Sequence, residues 1–211
     1  MDENKTQNDH SQHWSNPTPA GLVALAVACF CFFALLTGSV DASAMPLLAC
    51  FLLGGFVIQF VVALLDLKTN NLSGGNTYLY FSVFFMLVSG LEMLLKYYEP
   101  GLDARIDGWA WTALALVVLL WTPAFFKSPA ILFELIVVLN FAIISIAIHD
   151  FGIVSAGFSN VLAHIAAYAL LICGLLGIYL SAALVVNGTF GKEIFPNPGP
   201  FYTKLQNRKK N

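Results

Sequence analysis

The sequence predicts an all-α integral membrane protein, a bundle of six transmembrane helices. Three observations predict it. Of 211 residues, 58% are hydrophobic and only 10% charged, against about 25% charged in a soluble domain. A surface so poor in charge does not meet water. The apolar residues fall into six runs, at roughly 19–38, 45–66, 77–97, 109–126, 130–149 and 159–187, each close to or above the roughly 20 residues that carry a helix across a bilayer. The runs do not alternate, and they are about twice as long as a membrane-spanning strand needs, which argues against a β-barrel.

The elements follow in order. Residues 1–15 are polar and net acidic; they lack the basic start of a signal peptide and read as a flexible tail. The helical domain occupies 16–190, and 191–211 reads as a second tail. The first run is entered through "NPTPAGL" (16–22). Asn16 is expected at the N-cap, with Pro17 at N1 and Pro19 at N3, where backbone N–H groups have no partner within the helix and proline costs little. The N–H groups of Thr18 and Ala20 would then remain free. With the positive end of the helix dipole they would make a start suited to an anion's path, although the residues by themselves favour a plain helix cap. Ala20 and Gly21 permit close approach of another helix. The second run is separated from the third by "DLKTNNLSGGNT" and the third from the fourth by "YYEPGLDARIDG". Only Lys127, Ser128 and Pro129 part the fourth from the fifth, so those two read either as separate helices or as one bent hairpin. The sixth run carries small residues at Gly174, Gly177, Ser181 and Ala182, a stripe for helix contact rather than for substrate. Trp109, Trp111, Tyr97 and Tyr98 fall at one interface, as an aromatic belt does.

Orientation follows from the cations. Of the ten Lys and Arg, Lys5, Lys68, Lys127, Lys192, Lys204, Arg208, Lys209 and Lys210 share the side of the termini; Lys96 and Arg105 lie opposite. Both termini are therefore expected in the cytoplasm.

The polar residues exclude several functions. Mid-membrane depth falls near Cys29, Phe56, Met86, Val118, Asn140 and Ile172, with no ionisable group among them, which argues against a pump built on a central charged relay. Glu92, Asp41, His149, Asp150 and His164 lie towards the outer face and Glu134 towards the inner one. Gln59 and Asn140 are the polar groups nearest the middle; each has donors for a carboxylate or for a neighbouring helix. The four cysteines sit in apolar runs, and no ligand pair accompanies Cys29 and Cys31, so neither metal nor cofactor is expected. The four histidines (10, 13, 149 and 164) are scattered over both faces. No nucleophile–base pair appears, so the chain is not expected to be an enzyme. A formal net charge of −2 gives no reason to expect nucleic acid as a partner.

"NPTPAGL" resembles the Asn-Pro-Ala-Pro-Leu-Gly-Leu signature of the acetate uptake transporter family, the succinate–acetate permeases. It matches at Asn16, Pro17, Pro19, Gly21 and Leu22 and departs at Thr18 and Ala20. "FLLGGFVIQFVVALLDLK" (51–68) resembles the family's second helix, Asn76-Thr77 the start of its third, and "IYLSAALVVNGTFGKEIFPNPGP" (178–200) its last helix and exit. The resemblance runs from residue 16 to about 200. It implies a channel-like protomer in a homo-hexameric ring, seated among the lipids of the plasma (inner) membrane. It further implies transport of small carboxylates, acetate and also succinate, by symport or as an anion channel, with no cofactor. The central path is implied to narrow at a hydrophobic constriction from helices 1, 3 and 5: Leu25, either Phe85 or Met86, and Leu139. Beside it, Asn140 reads as lining; for Gln59, lining and packing stand level. Leu25 and Met86 depart from positions commonly aromatic in the family, and "NLSGG" (71–75) is an insertion, so the carboxylate class stays open. The alternative is a six-helix channel for neutral small amides such as urea.

Overall fold

A computed structural model describes residues 15–203. Residues 1–14 of the expected tail over 1–15, and the cations Lys5, Lys204, Arg208, Lys209 and Lys210, lie outside the described residues. Among the described residues, six helices are long and apolar enough to cross a membrane. They are α1 (Thr18–Leu36), α2 (Met45–Lys68), α3 (Leu72–Tyr98), α4 (Arg105–Lys127), α5 (Ala130–Asp150) and α6 (Ala156–Phe190). The fourth and fifth runs are thus two helices, with Pro129 as the N-cap of α5. Each helix packs on its sequence neighbour, and α6 returns to α1, so the six close into a ring. The α3–α4 seam is made by side chains. Tyr80 meets Trp121 with ring centroids 6.4 Å apart, Phe85 meets Trp111 at 6.3 Å, and Lys96 pairs with Asp107.

The interior is apolar: Leu22, Leu52, Met86, Leu139, Leu170 and Leu180 are almost fully buried. Small residues bring α1 and α6 together. A Cβ on Gly174 would lie 2.9 Å from the Phe30 ring, one on Gly177 would lie 3.4 Å from the Leu22 carbonyl oxygen, and Ser181 Oγ donates to the Pro19 carbonyl at 3.1 Å. Gly21 serves α3 in the same way, since a Cβ there would lie 2.5 Å from Tyr78 Cε1. Gly21→Ala must push this ring away, at the expense of the Tyr78 hydroxyl's bond to the Thr18 carbonyl (3.3 Å). Overpacking of this kind costs about 1–3 kcal/mol. The expected result is a lower unfolding temperature in detergent for Gly21→Ala, partly restored by Gly21→Ala with Tyr78→Leu.

The ends of the helices carry the corrections. The N-cap of α1 is Pro17 rather than Asn16. Asn16 Oδ1 instead accepts from the Thr18 N–H at 3.0 Å, and the Ala20 N–H bonds the Pro17 carbonyl at 3.1 Å. The two amides expected to face an anion are therefore already engaged. The third helix begins at Leu72, inside the stretch read as an insertion, because Asn71 caps it: its side chain accepts from the Gly74 N–H at 3.1 Å, after a left-handed turn at Asn70. Within α3, Phe81–Val88 is a π-helix, and Ser89 Oγ donates five residues back to the Phe84 carbonyl at 3.1 Å.

Gly191, with φ of 63°, ends α6. From there to residue 203 the chain folds back on the bundle. Asn187 Oδ1 accepts from the N–H groups of Ile194 and Phe195, and the Pro198 carbonyl accepts from the Ala130 N–H at 2.9 Å. The part of the C-terminal segment 191–211 that is described is thus docked on α5 and α6.

Candidate functional site

A cavity of about 480 Å³ opens between the helices on the side of the chain termini. Its rim is formed by Asn16, Ser73, Lys127 and Ser128, its wall by Asp66, Thr77 and Tyr78, and its floor by Leu25, Gln59, Phe81 and Leu139. At a rise of about 1.5 Å per residue, Leu25 lies about 10 Å along α1 from Thr18 and Leu139 about 13 Å along α5 from Ala130. The floor thus sits less than halfway into a hydrocarbon core of about 30 Å.

Apart from Gln59, the floor is apolar, with one residue each from α1, α3 and α5. Leu25 is 6% exposed, Phe81 4% and Leu139 1%. Beyond it lies an aromatic layer: the Phe85 ring stands 5.7 Å from Phe81, 5.4 Å from Phe32 and 6.3 Å from Trp111. Polar groups punctuate the floor and the wall. Gln59 Nε2 donates to the Gly21 carbonyl at 3.3 Å, while Gln59 Oε1 and Thr77 Oγ1 are buried without a partner. The ionisable side chains on the wall and rim are Asp66, Tyr78 and Lys127. Asp66 Oδ2 accepts from Asn71 Nδ2 at 3.1 Å. Lys127 Nζ sits 5.5 Å over the Tyr202 ring of the docked C-terminal segment.

At the opposite end, charges tie helices together. Lys96 Nζ lies 2.5 Å from Asp107 Oδ2 and 3.6 Å from Glu92 Oε2, and His149 Nδ1 bonds Ser159 Oγ at 2.7 Å. In the loop before α4, hydrogen bonds from Arg105 hold the Asp103 carboxyl down to about 2. Among the described residues, no group of three or more His, Cys, Asp or Glu is placed to hold a metal ion.

The residues singled out from sequence divide accordingly. Leu25, Gln59 and Leu139 line the cavity floor, and Asn16, Pro17 and Leu22 of the signature line the cavity too. Pro19 and Gly21 serve packing against α6 and α3. Phe85 lies one layer deeper. Met86 turns into α2, its Sδ only 3.0 Å from where a Gly55 Cβ would be. Asn140, read as lining, is not on this wall. Its Nδ2 donates to Thr122 Oγ1 at 2.9 Å and to the Ile136 carbonyl at 2.8 Å, which ties α5 to α4. Sequence reasoning missed Phe81, Asp66, Thr77 and Lys127. Two signals were there: Phe81 stands four residues before Phe85, and Asp66 seven after Gln59, spacings that share a helix face.

Asn140→Leu is accordingly expected to act on stability first. It removes a buried inter-helix hydrogen bond of about 1 kcal/mol and leaves Thr122 without its donor. A double-mutant cycle with Thr122→Val, read by thermal unfolding, is expected to show a non-additive coupling of that order.

Among solved structures, the chain is similar to the bacterial acetate channel SatP, with a TM-score of 0.75 and 21% sequence identity over 87% of this chain and 99% of that one. The two share a fold. No family model matches the chain, and no curated protein matches it.

Proposed function

We propose that this chain is a member of the acetate uptake transporter family that passes small carboxylates, acetate foremost, through the centre of its own six-helix ring. The observation that carries the reading is the cavity: a mostly apolar vestibule, with Asp66, Thr77 and Tyr78 set into its wall and Lys127 at its rim, that ends on Leu25, Phe81 and Leu139, in a fold shared with an acetate channel. In this reading the floor is the constriction, and Phe81 takes the α3 place that the sequence divided between Phe85 and Met86. Lys127 at the rim draws the anion in, and Gln59 and Thr77 replace part of its hydration where the wall meets the floor. Transport proceeds as an anion channel or as symport with a proton, and succinate is a candidate second substrate. The membrane is the plasma (inner) membrane, with both termini cytoplasmic.

The apolar outer surface supports a homo-hexamer. The α4 helix buries the least of its apolar stretch within the protomer and leaves Leu116 and Leu120 exposed. Native mass spectrometry is expected to give six copies; a spectrum of monomers alone contradicts the assembly.

One observation favours neutral amides as a second reading, because the unpartnered Gln59 Oε1 suits an amide N–H donor. The test of the proposal is labelled acetate, propionate and succinate uptake by proteoliposomes at matched protein density. Acetate flux well above protein-free vesicles is expected, and none above them refutes it.

A further inference from the structure

Asp66 is an anomaly in a vestibule meant for anions. It lies in the last turn of α2 on the cavity wall, on the same helix face as Gln59, and is only 2% exposed. Its carboxylate receives one hydrogen bond from a neutral amide, that of Asn71. Gly74 holds the backbone of α3 hard against it: a Cβ there would lie 2.7 Å from Oδ2, so water has no room on that side. No cation among the described residues lies within ion-pair distance of it. The groups around it are few. From α3 come Tyr78, whose hydroxyl is given to the Thr18 carbonyl, and Thr77. Lys68 follows two residues on along α2. Lys127 stands at the rim over the Tyr202 ring. The lining residues of α1, α5 and α6 carry no charge.

A buried carboxylate with one neutral donor bears an uncompensated charge, and a proton removes it. The substrate class proposed above brings one. We infer that Asp66 exchanges a proton with the substrate, so that the floor is crossed by the undissociated carboxylic acid and the vestibule releases its anion. The inference rests on the transport reading. In the step, the O–H bond of RCOOH breaks and the proton passes to an Asp66 carboxylate oxygen. RCOO⁻ then leaves past Lys127, and Asp66 gives its proton to vestibule water and becomes a carboxylate again. Efflux runs the same steps backwards. The arrangement suits the apolar floor, which a neutral acid crosses at far less desolvation cost than its anion.

The test uses the full chain in proteoliposomes with a trapped pH indicator, between pH 5 and pH 8, with undissociated acetic acid held constant and protein-free vesicles subtracted. Wild type is expected to acidify the lumen as acetate enters and to retain a pH dependence of its own. Asp66→Asn is expected to lose net uptake at least tenfold more than it loses acetate–acetate exchange, and to flatten the profile. Asp66→Glu is expected to restore it. Asn71→Leu, which keeps the carboxylate and removes its one donor, is expected to move the midpoint of the profile to higher pH. An Asp66→Asn protein with the wild-type profile and the wild-type ratio of uptake to exchange overturns the inference and leaves the transport reading standing. So does an unmoved midpoint in Asn71→Leu, which also decides the matter if Asp66→Asn does not fold. A wild-type protein that moves no acetate overturns both.

Discussion

Leu139→Ala is expected to raise acetate flux about ten- to a hundred-fold and to admit propionate and longer acids. Leu139 is 1% exposed and lines the vestibule together with Leu25 and Phe81. None of the three has a donor for a carboxyl group, so a substrate that crosses them sheds most of its water. Truncation to Ala leaves room for water to travel with it. Two hydrogen bonds that an undissociated acid keeps in this way, at about 0.5–1.5 kcal/mol each, come to about 1–3 kcal/mol, and each 1.36 kcal/mol is about tenfold in rate. The same truncation costs about 2–5 kcal/mol of core packing, so flux must be compared in protein shown to be folded and of unchanged oligomeric state. Leu25→Ala is expected to act in the same direction. Met86→Ala is not, because Met86 packs against Gly55 of α2 and is off the cavity wall. Unchanged rate and unchanged size preference in intact Leu139→Ala protein would remove residue 139 from the constriction.

Gly108→Val is expected to abolish the folded protein. A Cβ at 108 would stand 2.7 Å from the Phe151 backbone nitrogen and 2.8 Å from its Cγ. The contrast with Gly21 is physical: there a side-chain ring stands in the way and has some freedom to rotate, whereas here the obstacle is the backbone at the C-terminal end of α5. Gly108 also follows Asp107, whose pair with Lys96 joins α4 to α3, so a displaced α4 loses that contact as well. A cost of about 3 kcal/mol or more, at the upper end for overpacking, is a large share of a typical stability of about 5–15 kcal/mol. Fluorescence-detected gel filtration is expected to show aggregate and no monodisperse peak. A monodisperse Gly108→Val protein with wild-type thermal stability would show that the α4–α5 approach is looser than the structure has it.

The six helices were legible because crossing a bilayer demands a length of apolar chain that nothing else in a small protein produces, and each of the six runs holds one. Their ends were less so. Asn71 starts α3 five residues before the apolar run does, and a cap of that kind is local chemistry that a hydropathy pattern does not register. The choice between Phe85 and Met86 was not open to sequence at all. A π-helical stretch over Phe81–Val88 widens the turn and shifts every later side chain relative to a 3.6-residue count, so a register carried in from either end slips. Asn140 shows a different limit. Its partner Thr122 lies on another helix, and an amide near mid-membrane looks the same in sequence whether it faces a path or a neighbour. Nothing in the sequence marks Asp66 as buried. Only the fold, with Gly74 pressed against it, shows it buried.

The most direct test of carboxylate passage is a paired flux measurement on one preparation. Labelled acetate and labelled urea are added to the same proteoliposomes at equal concentration, with protein-free vesicles as the baseline. The vestibule, with Lys127 at its rim and Asp66 in its wall, predicts protein-dependent acetate flux at least tenfold above that of urea. Urea flux equal to or faster than that of acetate would contradict it and transfer the cavity to neutral amides.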